Sequence, residues 1–136
     1  MNIPKHKLTA LLFAAIAIGM SASFGHAANL SDKDKAFLTS YEKIHLALAA
    51  DDLAGAKAAA TELGDSGSDV AKANSLKDAR AGFEKLSAHA KKVAAGQSGY
   101  HVAHCPMLNK DWVQTSPTIA NPYGGKEMIG CGEIQK

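Results

Sequence analysis

The chain has 136 residues, a formal net charge of +2, two cysteines, four methionines and one tryptophan. That length supports one small domain whose core needs no covalent staple, so disulfides are permitted rather than required. A charge this close to neutral gives no electrostatic footprint for nucleic acid, which is excluded as an expected partner.

The first element is a leader. Lys5 and Lys7 precede an uncharged run of 13 residues from Leu8 to Met20, and Gly25-His26-Ala27 follow. This order predicts a secretory signal peptide over 1–27, cleaved near Ala27. The apolar run is shorter than the roughly 20 residues that span a bilayer, so no stable membrane insertion is expected after cleavage. The remainder, 28–136, is read as a single exported domain. It carries 13 basic and 13 acidic side chains, so the excess positive charge belongs to the leader.

Composition divides that domain near residue 97. Residues 28–97 hold 18 alanines and no Pro, Cys or Met, which predicts a helical part. Residues 98–136 hold three prolines and five glycines and read as short strands and turns. The expected fold is therefore mainly α, a three- to four-helix, bundle-like N-terminal part with a small C-terminal strand and turn segment.

Ser31, with Asp34 three residues on, offers a helix cap, and Phe37, Tyr41, Ile44 and Leu48 follow as one apolar stripe. Asp51 and Asp52 suit the start of a second helix, whose narrow face is Leu53, Ala56, Ala60 and Leu63 before Gly64 ends it. Residues 65–69 read as a turn or loop. The last helix starts at Val70 or at Ser75 and carries Leu76, Ala79, Phe83, Leu86, Ala90 and Val93 up to Gly96. These stripes are core packing, and His45 and His89 on them are read as packed or exposed residues outside any site. Beyond residue 98, Trp112 and Tyr123 are expected to pack over the sulfur-bearing segment, with Lys110-Asp111 and Lys126-Glu127 as solvated turns.

Every Cys and Met of 28–136 falls in two short strings, His104-Cys105-Pro106-Met107 and Met128-Ile129-Gly130-Cys131. Thiolate and thioether sulfur are soft donors suited to Cu(I), whereas a structural zinc site draws on Cys and His. If 100–107 is extended, His101 and His104 face opposite ways, so the two are not equivalent ligands. Asn121-Pro122-Tyr123-Gly124-Gly125 is turn chemistry that can return Met128 and Cys131 to Cys105. The same spacing suits a Cys105–Cys131 disulfide, and the residues alone leave disulfide and metal site both open. No nucleophile with a base and an orienting group stands out, so an enzyme is not expected.

The string His104-Cys105-Pro106-Met107, then Trp112, Asn121-Pro122-Tyr123-Gly124 and Met128-Ile129-Gly130-Cys131-Gly132, resembles an uncharacterised bacterial periplasmic domain. That domain is found alone or at the C-terminus of adaptor subunits of Cus-type heavy-metal efflux systems. Arg80, Phe83, Leu86 and Ser87 resemble its last helix. The resemblance implies a periplasmic domain that handles copper or silver, with Cys105, Met107, Met128 and Cys131 as metal ligands and His104 or His101 as auxiliary. It also implies a periplasmic efflux or copper-handling protein as partner. One departure is Gly124, where the family has an aromatic.

Together these readings give a periplasmic Cu(I)- or Ag(I)-binding protein for sequestration or delivery. The alternative is a small structural domain stapled by a Cys105–Cys131 disulfide.

Overall fold

The computed structural model describes residues 29–136, so the leader expected over 1–27 lies outside the described residues. The four helices are α1 (Asp32–Ala49), α2 (Leu53–Thr61), a single turn α3 (Ser68–Ala71) and α4 (Leu76–Ala94). Three short strands follow, β1 (His101–Cys105), β2 (Lys110–Gln114) and β3 (Glu133–Ile134). The fold is mainly α with a C-terminal strand segment, and no helix among the described residues is long and apolar enough to cross a membrane.

Helix starts follow the capping residues. Ser31 Oγ accepts the Asp34 N–H at 3.1 Å, Asp52 Oδ1 accepts Gly55 N–H at 2.9 Å, and Ser75 Oγ accepts Asp78 N–H at 3.1 Å. Each satisfies a donor that the first helical turn leaves without an internal partner. Residues 65–69, expected to be a turn or loop, form a turn and the start of a short helix. A 3-10 turn (Gly64–Gly67) leads directly into α3, because Gly67 is pressed against the Ala60 carbonyl, where a Cβ would collide. Val70, 1% exposed, then anchors α3 against α4 beside Gly82.

The stripe Phe37, Tyr41, Ile44 and Leu48 is buried and meets Ala79, Phe83, Leu86 and Ala90 of α4 together with Ala56 and Ala60 of α2. Tyr41 stacks on Phe83 with ring centroids 4.8 Å apart. α4 also packs along β2, and this contact places the sheet on the helices.

The sheet is antiparallel in the order β2-β1-β3, with Ala103 opposite Trp112 and Ile134, and His104 opposite Asp111 and Glu133. An edge strand exposes unpaired backbone groups. On β2 these are met by tyrosines: Tyr41 Oη accepts Val113 N–H at 3.0 Å, and Tyr123 Oη donates to Asp111 O at 3.2 Å. Lys110 and Asp111 are thus the start of a strand rather than the solvated turn expected. Lys126 and Glu127 are exposed on a second 3-10 turn (Gly125–Met128).

Arg80 fixes that turn. Its Nε donates to Pro122 O at 2.8 Å, and its Nη2 donates to Leu48 O at 3.1 Å and Asp51 Oδ1 at 2.6 Å. Asp51 Oδ2 accepts the Lys126 N–H at 3.1 Å. These bonds from Arg80, and then the Lys126 N–H, hold the Asp51 carboxyl below the usual carboxylate range. The end of α1, the start of α4 and the segment that carries Met128 and Cys131 are joined at one guanidinium.

Candidate metal centre

Cys105 closes β1 on the face it shares with Ala103, and both are fully buried. Pro106 has no N–H to continue the ladder. The chain therefore turns through 106–109, where Asn109 takes φ 50° before β2 begins. This tight turn folds its own backbone over the sulfur, so that the Leu108 and Met107 N–H groups donate to Cys105 Sγ.

The other half of the centre is built by Asn121. Its Oδ1 accepts Tyr123 N–H and Gly124 N–H, each at 2.9 Å, and its Nδ2 donates to Cys131 O at 2.8 Å. The Asn121 backbone N–H reaches Ile129 O at 2.8 Å. The turn therefore returns the chain so that Cys131 Sγ lies 3.0 Å from Cys105 Sγ, both cysteines being free thiols.

Burial opposes ionisation of Cys105. It is outweighed by the Cys131 thiol, the Leu108 and Met107 N–H groups and the Asn121 side chain, which together hold the Cys105 thiol below its usual value. Cys131 is pushed up, chiefly by its hydrogen bond with Cys105. The pair sets a buried sulfur, Cys105, against a half-buried one, Cys131.

The remaining candidate ligands separate. Met128 is half-buried, packs on the core, and accepts the Cys131 N–H through its carbonyl at 2.8 Å. Its Cβ sits where a side chain at 124 would start, a steric reason for glycine at that position. Met107 gives its backbone to Cys105 but leaves its side chain 77% exposed. His104 does not join the sulfurs: successive strand residues point to opposite faces, and its Nδ1 is 2.7 Å from Asp111 Oδ1, which Lys91 also holds at 2.6 Å through Oδ2. His101 is on the Cys105 face but four residues away, about 13 Å along the strand and beyond reach of a shared ion. Among the described residues, no three His, Cys, Asp or Glu side chains are grouped so as to hold a metal.

No family model, curated protein or solved structure matches this chain.

Trp112, 0% exposed, packs against Gly132, next to Cys131, and donates its Nε1–H to Gln114 Oε1 at 2.8 Å. His45 is the buried packing residue expected, with Nε2 donating to Ala120 O at 2.6 Å. The sequence marks Asn121 only as a turn residue. A polar side chain directly before Pro and an aromatic marks an Asx turn, but its reach to the sulfurs lies outside any local pattern.

The sulfur pair can move in two directions. A disulfide needs the sulfurs about 1 Å closer, near 2.05 Å. A metal bridging them at about 2.3 Å per bond needs them about 3.8 to 4.6 Å apart. Cys131 is the freer partner, since it is half-buried and follows Gly130, whose surroundings are open.

Proposed function

We propose that this chain is a periplasmic soft-metal carrier that binds Cu(I), and by the same chemistry Ag(I), for sequestration or delivery rather than catalysis. The observation that carries this reading is the dithiol: Cys105 and Cys131 meet at 3.0 Å, with three further donors directed at Cys105. Two sulfurs, one already disposed to lose its proton, suit a soft monovalent ion, and the half-buried Met128, three residues before Cys131, brings a further soft donor. The bundle-like helical part serves as support. Resemblance to the domain of Cus-type efflux adaptors supports the same assignment and suggests a periplasmic efflux or copper-handling protein as partner.

Anaerobic competition of the reduced protein against a chromophoric Cu(I) chelator tests the proposal. Tight stoichiometric binding is expected, with a fall of at least about 100-fold in Cys105→Ser and Cys131→Ser. Equal affinity in the wild type and both variants would refute it.

The same 3.0 Å approach favours a second reading, a structural domain in which Cys105 and Cys131 are joined as a permanent disulfide. Thiol counting on protein isolated from the periplasm separates the two. Two titratable thiols before reduction support the carrier, and none supports the staple.

A further inference from the structure

Four large hydrophobic side chains are exposed among the described residues, and three of them, Met107, Leu108 and Ile129, lie within three residues of a cysteine. Methionine is usually a buried residue, yet Met107 is 77% exposed in the turn whose backbone holds the Cys105 sulfur. A turn of this kind needs no thioether at its tip, because both N–H bonds to Cys105 come from the main chain. Neither Cys105, which is fully buried, nor Cys131, which is half-buried, is as exposed as Met107.

We infer that Met107 is the acquiring ligand of the sulfur pair: its thioether takes the soft cation from a carrier's ligand and passes it inward to Cys131 and Cys105. The inference rests on the metal-binding reading and adds a route to it. Reach is sufficient: the Met107 Cα is about 5 Å from Cys105 Sγ through its hydrogen-bonded N–H. Its side chain turns about three flexible bonds, so the sulfur can swing from solvent toward the pair.

The exchange conserves charge and electrons. A bond from the ion to the carrier's ligand breaks as one to Met107 Sδ forms. The Cys131 thiol then releases its proton to water as its sulfur bonds the ion. Finally the Met107 bond breaks as Cys105 Sγ closes on the ion, the proton of that thiol also passing to water, and no group is oxidised or reduced. The order runs from the exposed thioether to the half-buried and then the buried cysteine sulfur.

The test is the rate of Cu(I) transfer from a bicinchoninate complex to reduced protein, followed anaerobically by loss of the chelator's absorbance. Met107→Leu keeps the apolar volume and removes the donor, and Met107→Ala repeats the test without the side chain. Both are expected to slow transfer about tenfold or more while the equilibrium partition of Cu(I) changes less than about twofold. An unchanged rate overturns the inference, as does a parallel loss of rate and affinity, which would make Met107 a resident ligand. If Cys105→Ser leaves equilibrium binding untouched, the metal-binding reading itself fails, a result distinct from either Met107 outcome.

Discussion

The Asn121 carboxamide is fully buried, and it reaches two backbone N–H groups, the Cys131 carbonyl and the Cys105 sulfur. Asn121→Ala strands those groups without replacing their hydrogen bonds and is expected to cost about 2–4 kcal/mol in urea unfolding. Loss of the donor also removes stabilisation of the Cys105 thiolate, so its pKa rises. The onset of thiolate ultraviolet absorbance should shift to higher pH in the variant, and an unshifted onset would show that the carboxamide does not act on the sulfur. This residue marks how far the sequence could be read. The Asx turn is a local pattern over three residues and was visible, whereas the contact with Cys105 spans 16 positions and depends on where the turn is docked.

At the scale of elements, the join between helices and sheet runs through Asp111. Two adjacent opposite charges suggested a solvated turn, but cross-strand pairing with His104 and an ion pair with Lys91 of α4 draw Asp111 into β2. Lys91, then His104, hold its carboxyl below the usual carboxylate range. Since the folded value lies below the ordinary one, the ionised form stabilises the fold above about pH 4, and the contribution disappears as pH falls through the folded value. Asp111→Asn should therefore lower the free energy of urea unfolding at pH 7 by an amount on the order of 1 kcal/mol, with the gap to wild type closing below about pH 4. A gap of constant size across that range would remove the ion pair as its cause. Helices α1, α2 and α4 were legible because apolar spacing and caps act within a few residues. The turn after α2 was legible too, but its 3-10 form at Gly64–Gly67 was not, because that shape follows from the approach of Gly67 to Ala60 in a neighbouring helix.

Taken as a whole, the molecule closes a core of Phe37, Tyr41, Phe83 and Trp112 without a covalent link, and Arg80 ties the C-terminal segment back to two helices. The reduced chain should therefore fold. Oxidation would close a loop between residues 26 positions apart, worth about 3.5 kcal/mol in the chain-entropy treatment. Thermal unfolding followed by circular dichroism should show the oxidised form melting about 10 °C or more above the reduced one. Equal midpoints would mean that closing the S–S bond costs the native state as much as it constrains the unfolded chain. Of this architecture, the helical part and the sulfur-bearing strings were legible in composition. The covering of the β2 edge by Tyr41 and Tyr123 was not, because it joins residues from opposite ends of the domain. The chain's single tryptophan is also the residue packed against Gly132, beside Cys131. Its emission is therefore an intrinsic optical probe of that corner, able to register heavy-atom quenching or sulfur oxidation in the unlabelled protein.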